Sequence, residues 1–244
     1  MRAMNSAVIR HLTHLSVIPV LVLAGTVTVR AAGDYAPSSA PAADEGVAVG
    51  ITPEIGTLGY GADLTARLAD TANARFGYHA FDWTIHFNKG DANADRIDGT
   101  LDWQTIGALF DWHPFAGGFR TSAGAFFNNN EIRITAPSGA TVSINDVDYK
   151  IASLDGKVTF NKVSPYIGIG YGNAVGADGR FHLSLDIGVL YHGSPNVSLN
   201  ATSSNAALQD RMNADLEEEA KDIENKAKSF NVWPVLAIGI SYRF

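Results

Sequence analysis

The last fourteen residues of the chain alternate between two kinds of side chain with a period of two. One parity is apolar throughout and ends in two aromatic residues: Val232, Pro234, Leu236, Ile238, Ile240, Tyr242 and Phe244. The other parity is mostly small or polar and ends at Arg243. This alternation predicts a β-strand with one apolar face, because successive side chains of a strand point to opposite sides. Such a face meets either a protein core or lipid.

Seven further runs show the same period, so the chain is predicted to be all-β from residue 46 onward. Glycine, at 24 residues, and aromatic residues, at 10%, are both abundant, which suits a barrel with a crowded lumen and aromatic rims. The pattern is imperfect at Phe76, Tyr78, Leu101 and Trp103, which share the polar parity of their strands. A bulge or a taper at a barrel end would produce this shift. The eight runs cover residues 46–52, 58–68, 81–87, 106–112, 119–127, 167–171, 181–191 and 231–244.

The connections between these runs alternate strictly between short and long. The short ones are residues 70–73, 114–118 and 176–179, and the long ones are residues 88–98, 136–155 and 201–230. Outer-membrane barrels combine short periplasmic turns with long outer loops, whereas a soluble sandwich has no reason to keep this alternation. The sequence therefore predicts a closed antiparallel transmembrane β-barrel of about eight strands over residues 46–244, with a periplasmic C-terminus.

The last long connection is predicted to contain a helix. Apolar residues recur there at three- and four-residue spacing, as on one face of a helix. We expect this stripe to pack on the barrel mouth, with a surface that binds a divalent ion or a partner as the alternative. No calcium-loop spacing occurs in it. Residues 141–145 alternate and would extend the connection 136–155 as a hairpin. The apolar stripe of the helix is Leu208, Met212, Leu216, Ala220, Ile223 and Ala227.

The N-terminus has the features of a secretory signal peptide. Arg2 and Arg10 give it a positive start, residues 15–29 are apolar, and cleavage after Ala31 satisfies the small-residue rule. The alternative is a membrane anchor, but the apolar run of about 15 residues is shorter than the roughly 20 that a spanning helix needs. Residues 1–31 are therefore predicted to be a signal and residues 32–45, rich in Ala, Pro and Ser, a flexible lead-in.

The C-terminal segment from Ile240 through Tyr242 to Phe244 resembles the terminal signature of bacterial outer-membrane proteins. The size and loop pattern resemble the small eight-stranded group that includes the OmpA transmembrane domain, OmpX and OmpW, over roughly residues 46–244. The resemblance implies a Gram-negative outer-membrane protein surrounded by lipid and lipopolysaccharide. It also implies that Ile240, Tyr242 and Phe244 are read by the machinery that inserts barrels.

Strand parity assigns a set of ionisable side chains to the lumen. An eight-stranded barrel is just wide enough for its own side chains, and an unpaired buried charge costs several kcal/mol, so these groups are expected to pair. The favoured interpretation is a salt-bridged plug, and the alternative is a polar path for a small solute or ion. Arginines are expected nearer the periplasmic end and aspartates nearer the middle. The set comprises Asp63, Arg67, Asp82, Asp111, Arg120, Asp186 and Arg243, with His86, His182 and His192.

The opposite parity carries aromatic side chains that are expected to form belts at the two membrane interfaces. A strip that binds sugar is the alternative, supported by residue type alone. These belts suit the banded outer surface of a transmembrane barrel. The aromatic residues are Tyr60, Trp83, Phe87, Phe110, Trp112, Tyr171, Tyr191, Tyr242 and Phe244.

Composition and motifs exclude several functions. Without the first 31 residues the chain has 15 basic and 25 acidic residues, which disfavours binding to nucleic acid. The absence of cysteine excludes disulfides, thiol catalysis and a lipoprotein anchor. No cofactor or metal site is expected. A lipid-modifying enzyme would need His192, Ser194 and Asp186 to act together, but strand spacing holds His192 and Ser194 about 7 Å apart.

The sequence thus predicts a small, monomeric, non-enzymatic outer-membrane barrel. It would serve envelope structure or surface interaction through its loops. A narrow channel or transporter for small solutes is the second hypothesis, and a lipid-modifying enzyme is the third.

Overall fold

The computed structural model describes residues 48–88, 96–177 and 179–244. The predicted signal peptide, the predicted lead-in and the first two residues of the first predicted strand lie outside these residues. Within the described ranges, no helix combines the length and apolar character needed to cross a membrane.

Eight antiparallel strands close into a barrel, which confirms the predicted fold class. Each barrel strand pairs with the barrel strand that follows it in the chain. The first and last strands pair with each other and close the barrel, from Gly50 opposite Arg243 to Gly56 opposite Ala237. The barrel strands are β1 (Val49–Gly56), β2 (Gly59–Ala69), β3 (Ala72–Asn88), β4 (Arg96–Trp112), β5 (Phe119–Asn128), β9 (Val163–Tyr171), β10 (Phe181–Tyr191) and β12 (Val232–Arg243).

The outside of the barrel is an apolar band with aromatic side chains toward both ends. On β10 the exposed residues run from Phe181 through aliphatic side chains to Tyr191. Eleven residues span about 36 Å, or about 25 Å along the axis of a tilted barrel, which matches the apolar band of outer-membrane barrels. The aromatic residues exposed on the barrel include Tyr60, Phe76, Tyr78, Phe110, Trp112, Phe127, Tyr171, Phe181, Tyr191 and Phe244.

One barrel end carries only short connections, and the other carries an ordered domain. We call them the turn end, with the β2–β3, β4–β5 and β9–β10 connections, and the loop end. At the loop end, the extended parts of β3 and β4 continue into a sheet in the order β3–β4–β6–β8–β11, with β7 paired to β8. This sheet and the helix form the head. Its added elements are β6 (Glu131–Ala136), β7 (Thr141–Ile144), β8 (Val147–Thr159), β11 (Asn196–Ser203) and α1 (Gln209–Ala227).

The head has an apolar core of its own, separate from the barrel. Met212 and Leu216, two residues of the predicted helical stripe, are buried in it. The tip of the β7–β8 hairpin docks on the helix, where the Asn145 amide donates to Glu219 at 3.0 Å and its side chain donates to Glu218 at 2.9 Å. The predicted helix therefore packs on the head sheet, and the expectation that its apolar stripe packs on the barrel mouth was wrong. The core comprises Ile97, Ala136, Ala140, Val142, Ile144, Tyr149, Ile151, Met212 and Leu216.

Strand β3 departs from the predicted parity. It pairs with β2 only as far as Ala80, and its remaining residues pair with β4 alone in the head. Within the barrel its outward residues are Phe76 and Tyr78, which the sequence pattern had treated as exceptions. The parity counted from Phe81 was therefore wrong for the barrel half of this strand. Trp83, expected in the lipid belt, is exposed in the head instead, and the side chain of Phe87 lies outside the described ones.

Candidate functional site

Five side chains from five strands form a charge network across the middle of the lumen. Arg75 lies at its centre: its Nη1 is 3.0 Å from Asp63 Oδ2, its Nε is 2.9 Å from Asp111 Oδ2, and Nη1 is 3.2 Å from Asp186 Oδ2. Arg120 completes the set, with Nη2 2.7 Å from Asp186 Oδ2. Every one of these side chains is at most 7% exposed. We call Asp63, Arg75, Asp111, Arg120 and Asp186 the lumen network.

Small neighbours make room for these side chains. Gly170 stands opposite both Arg120 on β5 and Asp186 on β10, and a Cβ there would lie 2.8 Å from Arg120 Nε. Ser122 donates to Asp111 at 2.5 Å, and Ser184 accepts from Arg120 at 3.1 Å. The pairing and added hydrogen bonds offset the desolvation that would otherwise make buried charges unfavourable.

An aromatic and aliphatic layer closes the lumen between the network and the head. The Phe126 ring meets the Tyr166 ring edge-on, with centroids 5.5 Å apart, and Trp103 lies 5.5 Å from Trp233. Glycines on β9 and β10 admit the tyrosine, because a Cβ at Gly168 or Gly188 would collide with its hydroxyl. The buried residues of this layer are Leu58, Phe126, Tyr166, Leu190 and Val235.

The β9–β10 connection folds into the turn end of the barrel. Val175 is fully buried, and its carbonyl accepts a hydrogen bond from Arg67. Arg243 donates to the Gly176 carbonyl at 2.6 Å, and Asn73 donates to Asn173 at 3.2 Å. Hydrogen bonds to both arginines thus hold this connection in the lumen as a third obstruction.

A cavity lies on each side of the network inside the barrel. The larger, of about 360 Å³, is lined by Glu54, Asp63, His79 and residues of the aromatic layer. The smaller, of about 220 Å³, lies toward the turn end and is lined by Asn73, His113 and Arg120 among others. Arg75 lines both cavities, so its side chain is part of the partition between them.

The structure brings four of the seven predicted lumen charges together. Asp63, Asp111, Arg120 and Asp186 belong to the network, whereas Arg67 and Arg243 lie at the turn end and bond to backbone carbonyls. Arg67 and Arg243 lie toward the turn end as expected, but Arg120 extends into the carboxylates beside Arg75, so the expected separation of arginines from aspartates holds only in part. Asp82 was expected in the lumen and is exposed, because β3 has left the barrel wall beyond Ala80.

Sequence reasoning missed the three lumen side chains Arg75, His79 and Glu54. All three are buried or half-buried and face inward. Arg75 and His79 alternate with Phe76 and Tyr78, so the parity of those two aromatics was the signal that would have found them. Glu54 lies beyond residue 52, where the first strand was predicted to end, although β1 continues to Gly56.

The three predicted lumen histidines have different surroundings. His86 is exposed in the head, with Nδ1 2.6 Å from Asp98 Oδ1. His182 is half-buried near the turn end, 3.2 Å from the Gly179 carbonyl. His192 is buried at the loop end and meets the Phe160 ring edge-on at 4.5 Å.

The three side chains considered for lipid chemistry do not form a catalytic group. Asp186 is engaged by Arg75 and Arg120, Ser194 is exposed, and His192 packs on an aromatic ring. Six residues of strand separate Asp186 from His192, which is about 20 Å. The absence of enzymatic activity stays a prediction.

The residues of the predicted assembly signature lie on the outer face of β12 and at its end. Ile240 and Phe244 are exposed, and Tyr242 packs between Phe181, at 5.1 Å between ring centroids, and Phe244, at 5.4 Å. Their outward parity is the one that the sequence pattern indicated, whereas recognition by an assembly machinery stays a prediction.

Comparison with solved structures finds similar folds in two crystal structures from Acinetobacter baumannii. CarO2 matches with a TM-score of 0.52 and 22% identity, over 81% of this chain and 99% of that one. CarO matches with a TM-score of 0.51 and 21% identity, over 80% and 97% respectively. No protein-family model and no curated sequence matches the chain. The likeness concerns the barrel fold, and the resemblance to OmpA, OmpX and OmpW stays a prediction.

Proposed function

We propose that this chain is a non-conducting outer-membrane barrel that anchors an ordered head at the cell surface, where the head serves envelope structure or surface interaction. The observation that carries the proposal is the lumen network, in which Arg75 bridges three aspartates from three strands. A barrel that conducts solutes would not fill the middle of its lumen with paired charges, because each ion pair must break before a solute can pass.

The surface of the barrel supports the membrane location. Its apolar band is exposed over the whole circumference, which in water would form a patch far larger than a soluble monomer carries. Outer-membrane lipid and lipopolysaccharide are the proposed surroundings, and the barrel-assembly machinery is the proposed partner of β12 during insertion.

The orientation of the head follows from the short and long connections. Outer-membrane barrels keep short turns in the periplasm, which directs the head outward. The chain contains no cysteine, so single-cysteine variants report sidedness cleanly. Asn225 lies on the exposed side of α1, and Asp70 lies in the exposed β2–β3 turn. The variants Asn225→Cys and Asp70→Cys therefore place a thiol at the loop end and at the turn end, respectively. An impermeant maleimide applied to intact cells should label Asn225→Cys alone.

The matched control is the same labelling after the outer membrane is permeabilised, when both variants should react. Labelling of Asp70→Cys alone on intact cells would show that the turn end, rather than the head, faces outward. Equal labelling of both variants in a soluble fraction would contradict the proposed location in the outer membrane.

A gated narrow path for small solutes is the second candidate function. The specific observation in its favour is that two cavities flank the network and share Arg75 as a lining residue. Movement of this one side chain would join them, although the aromatic layer and the β9–β10 connection would also have to yield. Swelling of proteoliposomes in small neutral and charged solutes tests this candidate, and swelling equal to that of protein-free liposomes would end it.

A further inference from the structure

Three metal-ligand side chains from adjacent strands converge beside the lumen network. They are Glu54 on β1, Asp63 on β2 and His79 on β3, and one ligand atom of each lies within 4.8 Å of the others. His79 Nε2 is 2.8 Å from Glu54 Oε1 and 3.4 Å from Asp63 Oδ1. Asp63 uses its other oxygen for Arg75, so Oδ1 remains directed at the histidine.

The register of the sheet explains the convergence. Glu54, Gly61 and His79 form one row across β1, β2 and β3. Because Gly61 has no side chain, the glutamate and the histidine reach each other over it; a Cβ there would lie 2.6 Å from His79 Cδ2. Asp63 stands opposite Gly77, where a Cβ would lie 1.9 Å from Asp63 Oδ1. Two glycines thus keep the space that the three ligands share.

Polar atoms of Glu54 and His79 are not satisfied by hydrogen bonds within the described residues. Glu54 Oε2 and both ring nitrogens of His79 have no hydrogen-bond partner there, while the two side chains are 8% and 4% exposed. The short approach of Nε2 to Oε1 therefore lacks hydrogen-bond alignment. Ligands of one ion held at about 2.1 Å lie about 3.0–3.4 Å apart, close to the two separations found here.

The charge of the surroundings favours a cation. Glu54, Asp63, Asp111 and Asp186 bring four carboxylates to this part of the lumen, against the guanidinium groups of Arg75 and Arg120. With a neutral histidine this cluster has a net charge of −2, which is unfavourable in a buried site. One divalent ion would balance it.

We propose that Glu54, Asp63 and His79 bind a divalent transition-metal ion, with zinc as the representative, in the wall of the larger lumen cavity. Three protein ligands leave at least one coordination position for water, and the cavity that these residues line provides the space. The imidazole ligand favours zinc over magnesium or calcium. The sequence predicted no metal site, because the three ligands lie on separate strands and share no motif.

The test is zinc binding by the folded protein in detergent, after treatment with a chelator. Equilibrium dialysis followed by elemental analysis should find one zinc per chain in the unmodified protein. His79→Gln and Glu54→Gln should each weaken binding by about tenfold or more, since each removes one of three ligands. His182→Gln is the matched control, a lumen-parity histidine near the turn end that should leave zinc binding unchanged.

A second measurement keeps the test decisive if a variant does not fold, as judged by heat-modifiable gel mobility. Cobalt bound to the unmodified protein should give a visible absorption band that zinc abolishes and magnesium does not. Absence of bound zinc and of the cobalt band would overturn the proposal and leave His79 as an ion-pair partner of Glu54. Zinc binding by His79→Gln equal to that of the unmodified protein would also overturn it.

Discussion

Arg75 on β3 and Asp186 on β10 face each other across the lumen and are joined by two parallel contacts. Arg75 Nη1 lies 3.2 Å from Asp186 Oδ2, and Nη2 lies 3.3 Å from Oδ1. Between β3 and β10 the sheet runs through β2, β1 and β12, so this bidentate pair links opposite walls rather than neighbouring strands. The barrel is therefore cross-braced through its middle.

Removal of the central guanidinium should destabilise the barrel. Arg75→Met leaves three buried aspartates without their shared partner, and loss of one member of a buried ion pair costs about 3–5 kcal/mol. Urea unfolding in detergent, followed by tryptophan fluorescence, measures the loss. Arg133→Met is the control, because Arg133 pairs with Glu131 on the surface of the head and its loss should be much smaller. Equal losses for both variants would contradict the brace.

On β5, only the side chains that face the lumen should contribute to the unfolding free energy through the aromatic layer. Phe126 is 3% exposed and packs on Tyr166, whereas its neighbour Phe127 is 54% exposed on the lipid side. Phe126→Ala should cost about 3–5 kcal/mol of unfolding free energy through a lumen cavity, and Phe127→Ala much less. Unfolding in the same detergent compares them. A reversed order would mean that β5 has the opposite parity.

Sequence parity predicted most of the barrel wall and missed the centre of the network for one reason. The outward residues of β5, β9, β10 and β12 follow the predicted alternation, because each of these strands lies in the barrel wall along its length, between the lumen and the apolar outer surface. β3 instead passes from barrel to head at Ala80, so its place in the barrel wall ends partway along the strand. Parity counted from Phe81 then assigned Asp82 to the lumen and left Arg75 out.

The strands of the head show a second limit of predicting structure from the local sequence pattern. Among the described residues, β6, β8 and β11 pair with one another, with β4 and, through β8, with β7. Their segments alternate as the barrel runs do, because the sheet packs against a helix on one side, so the pattern does not show that they lie outside the barrel. The helix itself was predictable, since Met212 and Leu216 recur at helical spacing.

The head sheet should loosen in acid through one carboxylate. Hydrogen bonds from Lys157 and Arg133 lower the pKa of Glu131, so its contribution to stability is present above the usual glutamate range and is lost as pH falls through the lowered pKa. Amide exchange of β6 and β8 should therefore accelerate in that range, and Glu131→Gln should remove the dependence. Glu217→Gln, on the exposed side of α1, is the control. If amide exchange in Glu131→Gln still accelerated in acid, the loosening would have to come from another titrating group.

Truncation of Arg75 to alanine should open the partition between the two cavities. The variant removes the side chain that lines both, while the aromatic layer and the β9–β10 connection stay in place. We therefore expect no unitary currents from this variant in planar bilayers, because those two layers still obstruct the path. Asp82→Ala, in the exposed part of β3, is the matched control and should be silent. Current steps from Arg75→Ala but not from Asp82→Ala would mean that the network alone closes the lumen.

The closed lumen is tested most directly by planar-bilayer recording of the unmodified protein. Folded protein, verified by its heat-modifiable mobility, should insert and give no unitary conductance, because the network, the aromatic layer and the β9–β10 connection each obstruct the path. Reproducible current steps of one size, proportional in frequency to the protein added and absent from heat-unfolded samples, would contradict the closed barrel.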